Sequence, residues 1–336
     1  VSLPSSVTLI SPLSGHLNNT GNVSFICNAT DLEDLSNITL LSSMNISEYS
    51  YRDDMIAWYH FNNDVAYGEN SSFIADHSGY QNNITTFVGG ANAPVPVSNG
   101  RIYGGYKFSG VSGSYMQIPV NNATNISQYD SITVSLWANI SNISSRRVFI
   151  GESRNMFSFF FSSNNKIVLW LYLNDSSLWG FAGEVDLGSN NINVLNQWHQ
   201  FTFSHNTTSN RTKIYIDGVK YADLNNFRKG KFYALGSGPA FPIGYENNDS
   251  LNGTLDELAI FSSELSEFQV KQLYLGKTKT NLVSGATDST TFNMSVADGY
   301  YEWMCEASNI YGYINASSEY RNFTIVGGND FYLICD

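Results

Sequence analysis

The sequence predicts an all-β protein in which one two-sheet sandwich is interrupted by a second, larger one. Three observations carry that expectation. Apolar and polar residues alternate at period 2 almost throughout, and only one segment has the 3–4 spacing of a helix. Cys27 and Cys305 fall on the apolar faces of their segments, yet 278 positions separate them. With 336 residues, the chain is long enough for two domains or one large β domain.

Taken in order, the first strands are expected at 6–11, 22–29 and 36–42. In 22–28, Val23, Phe25 and Cys27 share one face, and Asn22 and Asn28 share the other. Three more strands are expected at 290–296, 300–308 and 318–326. There Phe292, Met294 and Val296 point one way, as do Tyr301, Trp303, Cys305 and Ala307. Apolar faces opposite faces bearing Asn are the pattern of sheets that pack on one side only. Cys27 and Cys305 therefore lie in strands suited to an inter-sheet disulfide, with residues 46–276 inserted between the halves of that sandwich. The single helix follows Ser266. Ser266 and Gln269 fit a capping box, Val270, Leu273 and Tyr274 supply the apolar spacing, and Gly276 is placed to end it.

Composition narrows the role. Lys and Arg number 17 against 29 Asp and Glu, a net charge of −12 that argues against nucleic acid and anionic lipid as partners. No apolar stretch reaches the roughly 18 residues of a membrane span. The opening V-S-L-P-S-S-V-T-L-I lacks a charged segment followed by a long apolar one, so any signal peptide is expected to have been removed.

Asparagine is the unusual count, at 39, with 63 Ser and Thr. Random placement would give about seven Asn-x-Ser/Thr sequons. The chain has 19: Asn18, Asn22, Asn28, Asn37, Asn45, Asn70, Asn83, Asn122, Asn125, Asn139, Asn142, Asn174, Asn206, Asn210, Asn248, Asn252, Asn293, Asn315 and Asn322. The excess predicts covalent N-glycans and an extracellular or cell-surface location. Three cysteines suit that compartment, and their odd number leaves Cys335 free or paired with another chain. No C-x-x-C pair occurs and the five histidines are scattered, which argues against zinc.

The outer pieces, 1–45 plus 277–326, resemble a cell-surface immunoglobulin-like domain. The carriers are S-P-L-S-G at 11–15, N-V-S-F-I-C-N-A-T at 22–30, N-I-T-L at 37–40 and D-G-Y-Y-E-W-M-C at 298–305. One departure is Trp303, which stands where that family's corner tyrosine would. Residues 46–276 resemble the concanavalin A-like, laminin G-type jelly roll. The resemblance rests on A-W-Y-H-F at 57–61, D-H-S-G-Y-Q-N-N at 76–83, G-Y-K-F-S-G at 105–110, S-I-T-V-S-L-W at 131–137, W-H-Q-F-T-F at 198–203, K-I-Y-I-D-G at 213–218 and G-T-L-D-E-L-A-I-F at 253–261.

Jelly rolls of this type include glycosidases, which need paired carboxylates at defined separations. The nearest pairs here, Glu184/Asp186 and Asp256/Glu257, lack the expected spacing on a strand, and no nucleophile elbow or Walker loop occurs, so the expectation is a non-enzyme. The resemblance instead implies one calcium ion held by Asp76, Asn82 and Asp256, hard oxygen donors on a Gly-containing loop and a late strand. The alternative role for Asp76 is an Asx turn. For a carbohydrate ligand, Trp179 is the tryptophan read as lying in a loop, where it could stack on a sugar. Trp58, Trp137, Trp170, Trp198 and Trp303 are read as core.

The tail 327–336 reads as two glycines and a short β-prone strand, an extension suited to strand addition to a neighbour, with Cys335 to lock it. These features together predict a non-enzymatic, self-associating structural subunit of a cell-surface filament or sheath. The alternatives are a carbohydrate- or protein-binding adhesin and a virion surface or fibre protein.

Overall fold

A computed structural model describes residues 6–20, 22–43, 53–119, 121–152, 155–173, 179–225, 230–232, 241–296 and 299–326. It divides into two compact units, Val1–Ser50 with Gln272–Asp336, and Tyr51–Lys271. Both are built from β-sheets, antiparallel except where His16–Asn18 pairs parallel to Arg321–Ile325, so the protein is all-β. Among the described residues, no helix is long and apolar enough to cross a membrane.

The outer unit has two sheets. Ser6–Ser11, Asn22–Thr30 and Thr287–Ser295 form one. The other contains His16–Asn18, Arg321–Ile325, Gly299–Asn309, Leu35–Ser42 and Lys277–Leu282, with Ile314–Ala316 paired to Gly299–Asn309. Three of these strands, His16–Asn18, Lys277–Leu282 and Ile314–Ala316, have no counterpart in the sequence reading. Each carries too few apolar residues to show a buried face. Cys27 in the first sheet is bonded to Cys305 in the second, with their Cα atoms 6.4 Å apart. Phe25 packs edge-on against Trp303 at 5.2 Å and Phe323 at 5.4 Å, so Trp303 fills the space between the sheets. Phe292 is buried as expected, whereas Met294, near the end of this edge strand, and Val296, just beyond it, are half-buried.

The inserted unit is a sandwich of a seven-stranded and an eight-stranded sheet. The seven strands are β1 (Thr86–Val88), β2 (Tyr115–Ile118), β3 (Arg147–Glu152), β4 (Asn155–Ser162), β5 (Lys166–Tyr172), β6 (Trp179–Asp186) and β7 (Phe241–Ile243). Their order across the sheet is β6-β5-β4-β3-β7-β2-β1. Opposite lie Val219–Asn225, Arg211–Ile216, Trp198–Asn206, Ser131–Ile140, Asn252–Phe261, Gly104–Ser109 and Val95–Ile102, with Met55–Tyr59 paired to Asn252–Phe261.

Alternation builds the core between them. Phe157, Phe159 and Phe161 on β4 face Phe201 and Phe203 on the other sheet, with Phe157–Phe203 rings 5.0 Å apart and Phe149–Phe201 rings 5.0 Å apart. Burying one such ring is worth roughly 1.5–3 kcal/mol, so this layer of phenylalanines holds the sheets together. The opposite phase of the eight-stranded sheet is also buried, although it carries Thr133, Ser135, Gln200, Thr202 and Ser204. The chain returns over it after Phe261. Thr133 Oγ1 donates to Ser263 O (2.8 Å) and accepts from Leu265 N (3.0 Å), and Ser131 Oγ accepts from Glu264 N (3.0 Å).

That return leads into the helix α1 (Glu267–Leu275), in which Ser266 N donates to Gln269 Oε1 (2.8 Å) and Gln269 N to Ser266 Oγ (3.2 Å). This is the reciprocal capping pattern. Gly276, at φ +61°, ends the helix.

Candidate functional site

The outer face of the seven-stranded sheet differs from every other sheet face of the inserted unit. On β4 the outward phase is Ser158, Phe160 and Ser162, and on β5 it is Lys166, Val168 and Trp170. On β6 it includes Phe181 and Glu184, because a bulge at Leu169/Trp170 shifts the register and sets Phe181 opposite Trp170. Trp170 is 41% exposed and Phe181 53%, so two large aromatic side chains form an open cross-strand pair. Inboard of them, Val148, Phe160 and Val168 make a small apolar cluster.

Arg146 lies over that cluster. Its guanidinium is 3.8 Å above the Phe160 ring. Nη2 donates to Ser158 Oγ (3.1 Å) and to Glu246, and Nη1 lies 3.7 Å from Asp249. A planar guanidinium suits this position because it stacks and forks at once. Glu246 also accepts from Ser158 Oγ at 2.6 Å. Burial raises its pKa, against the opposing effects of Ser158 and Arg146.

Glu246 and Asp249 belong to a tight hairpin, Tyr245–Glu246 paired with Asp249–Ser250. Its turn residues, Asn247 (φ +48°) and Asn248 (φ +74°), both adopt the left-handed region that a two-residue type I′ turn requires. The hairpin carries Tyr245 onto Tyr115 of β2, with rings 5.2 Å apart and 14° from parallel. A cavity of about 380 Å³ opens beside them, lined by Tyr115, Gln117, Pro242, Tyr245, Glu246, Asn247 and Asn248. Flat aromatic walls with a few polar groups at fixed positions are the makings of a small-molecule site, and exposed rings can stack on apolar ring faces. None of the strands β1–β7 contains a sequon.

The residues expected to hold calcium are placed otherwise. Asp76 Oδ1 accepts from Trp58 N and Ser78 N, and Oδ2 from Asn82 N, all at 2.9 Å, while Ser78 Oγ donates to Oδ2 at 2.8 Å. Asn82 Nδ2 donates to Ile56 O (2.7 Å), and its Oδ1 accepts from Asn121. Asp256 is fully buried and accepts from Ile102 N (2.7 Å) and Glu257 N (2.8 Å). Burial and the adjacent Glu257 raise its pKa well above the usual carboxylate range.

Calcium needs six to eight oxygen donors, and these oxygens point at amides. Among the described residues, no group of three or more His, Cys, Asp or Glu side chains could hold a metal ion. The three residues do not fit a calcium ion; Asp76 is the Asx-turn residue of its loop.

The other acids read from the sequence are also committed. Glu184 pairs with Lys166, and Asp186 caps a turn through Ser189 N at 2.9 Å. Glu257, at φ +48° in a bulge, accepts from Trp58 Nε1 (3.0 Å) and pairs with His60 Nδ1 (2.7 Å).

The aromatic expectations need three corrections, the smallest being Trp198, which is half-buried and not core. Trp179 is not in a loop: it opens β6 opposite Tyr172, although its side chain lies outside the described residues. Trp170 is not core. Its strand, K-I-V-L-W-L-Y, is apolar in both phases, so alternation could not say which phase faced inward. The hairpin did leave a trace, since Asn-Asn between alternating strands is a type I′ signal.

Of the sequons, Asn45 and Asn174 lie outside the described residues, as do Cys335 and the whole of 327–336. Asn210 is only 8% exposed, in the turn after Trp198–Asn206, so the surface position expected for a glycan does not hold there. Asn18, Asn70, Asn125, Asn142 and Asn206 each accept a hydrogen bond from the Ser or Thr two residues on, which makes these sequons Asx turns as well.

Residues 109–271 match the family model described as the concanavalin A-like lectin/glucanases superfamily. Solved structures share the fold. The botulinum neurotoxin serotype D binding domain aligns with TM-score 0.50 and 20% identity over 66% of this chain and 51% of its own. The binding domain of Paraclostridial Mosquitocidal Protein 1 gives 0.52 and 16% over 67% and 52%. The receptor binding domain of botulinum neurotoxin mosaic serotype C/D gives 0.51 and 18% over 67% and 51%. The chain thus spans about half the length of each. No curated protein sequence matches it significantly.

Proposed function

With the inserted unit established as a concanavalin A-like jelly roll, we propose that the protein is an extracellular binding module that holds carbohydrate on the outer face of β1–β7, without cleaving it. The observation that carries this reading is the open Trp170–Phe181 pair beside the Arg146–Glu246 bridge, on strands that bear no sequon. In a chain with 19 sequons, a sheet whose strands carry none leaves room for a partner. Arg146 is balanced by Glu246 and Asp249, and Lys166 by Glu184, so the face favours neutral over acidic sugars. The fold neighbours named as binding domains agree with this reading.

The outer unit, with its inter-sheet disulfide packed against Phe25 and Trp303, serves as an immunoglobulin-like support. The filament or sheath reading rests on residues 327–336, outside the described residues.

Titration of neutral oligosaccharides by calorimetry tests the proposal. Trp170→Ala is expected to weaken binding at least about tenfold, and chromatography of the sugar afterwards is expected to show it intact. Equal affinity in the variant would sink the assignment to this face; cleavage products would sink its non-hydrolytic character.

A further inference from the structure

The cavity at the hairpin end of this face has a sequon in its own wall. Asn248, followed by Asp249 and Ser250, lines it with Tyr115, Tyr245, Gln117 and Glu246. We propose that Asn248 carries an N-glycan whose first rings fill this cavity, so that one end of the face is occupied by the chain's own saccharide. This rests on the reading that the face accommodates sugar.

Three observations support it. The first is the state of the side-chain amide. Asn248 is exposed, and among the described residues its Oδ1 accepts only a long bond from Ser112 Oγ (3.4 Å), while Nδ2, the atom that would bear the sugar, donates none. Other sequons spend that nitrogen: Asn18 on Asn22 O, Asn70 on Gly68 O, and Asn206 on Glu264 Oε2.

The second is Ser250. It is 2% exposed and, among the described residues, its hydroxyl has no hydrogen-bond partner. A buried, unpaired hydroxyl costs stability, on the order of 1–3 kcal/mol, so the fold gives no reason for Ser over Ala there. A sequon does, because it requires the hydroxyl.

The third is shape. A cavity of about 380 Å³ lies near the small end of ligand clefts, suited to one or two rings, and the parallel Tyr115 and Tyr245 rings give it a flat wall.

The modification itself is a glycosyl transfer. Nδ2 bonds to C1 of the sugar of a lipid-phosphate-linked oligosaccharide donor. The C1–O bond breaks, the lipid phosphate leaves with the electron pair, and the amide loses one proton to a base.

The test uses the full chain secreted from an N-glycosylating host. Peptide mass spectrometry is expected to find Asn248 occupied. Under native conditions an endoglycosidase is expected to release that glycan on the order of tenfold more slowly than those at exposed Asn22 and Asn293. Removing the sequon by N248Q, or separately by S250A, is expected to open the cavity to free di-N-acetylchitobiose, and adding Tyr245→Ala to N248Q is expected to abolish that binding. An unmodified Asn248 overturns the proposal, and so does release at the rate of Asn22 and Asn293 with no gain of binding in either variant. Should Trp170→Ala leave external saccharide binding unchanged while the Asn248 glycan stays protected, the binding-face reading fails and this one stands.

Discussion

The two outward faces of the jelly roll contrast in one protein. Behind the eight-stranded sheet the exposed phase would be Thr133, Ser135, Thr202 and Ser204, but residues 262–266 return across it and the side chains are buried. Across the seven-stranded sheet, Trp170 and Phe181 stand open and Arg146 shields only the central cluster. Under that cover Ser135 and Thr202 bond each other and Thr133 bonds the returning segment, whereas large aromatics left uncovered gain their stabilisation only when something else packs on them. The two outward faces thus differ in cover: one keeps polar side chains buried, and the other leaves two aromatics in the open.

The largest break in that comparison strikes the layer both faces share. Phe203→Ala removes a ring that packs on Phe157 (5.0 Å) and Phe159 (5.1 Å), and is expected to cost about 3–5 kcal/mol of unfolding free energy in urea titrations. Next comes acid. Burial pulls the His205 pKa down to about 4, so the folded protein stays neutral there while the unfolded chain takes up a proton near pH 6.5. Stability is therefore expected to fall by roughly 3 kcal/mol between pH 6.5 and 4 from this residue, and His205→Gln should flatten that part of the profile.

Smaller again is the covered face. Ser135 Oγ and Thr202 Oγ1 lie 2.8 Å apart, so Ser135→Ala strands a hydroxyl and is expected to cost about 1–2 kcal/mol, with Thr202→Val recovering part of it in a double-mutant cycle. Least affected in stability is the open face. Trp170→Ala should shift the unfolding free energy by no more than about 0.5 kcal/mol, as for surface substitutions, even while it weakens ligand binding. A loss of 2 kcal/mol or more would instead place Trp170 in the load of the fold.

The strands themselves were legible where one phase is clearly polar. In Ser131–Ile140 the alternation Ile132, Val134, Leu136 against Thr133, Ser135 is plain, and the capping box at Ser266–Gln269 was read correctly from its spacing. Where both phases are apolar, as in Lys166–Tyr172, the strand can be recognised but not its orientation, and Trp170 was misassigned for that reason. The Asp76 loop shows the converse. Its residues suited an Asx turn and a cation equally, and the choice fell to four donors, three of them backbone amides, supplied by Trp58, Ser78 and Asn82.

What the sequence by itself determined is local: an all-β chain, a concanavalin A-like jelly roll, one capped helix, and an excess of sequons. The all-β class, the helix and the sequons follow from periodicity, turn chemistry and short-range spacing, which act over a few residues; the jelly roll was read from the resemblance of its motifs along 46–276. The site was decided only by the tertiary structure. Sheet order β6-β5-β4-β3-β7-β2-β1 lays Phe181, Trp170 and Ser158 side by side, and the hairpin brings Glu246 to Arg146 from 100 positions away. Such neighbours are chosen by which strands pair and which face the chain leaves uncovered. Both are settled by burying apolar area across the whole sandwich, a quantity that no short window of sequence contains.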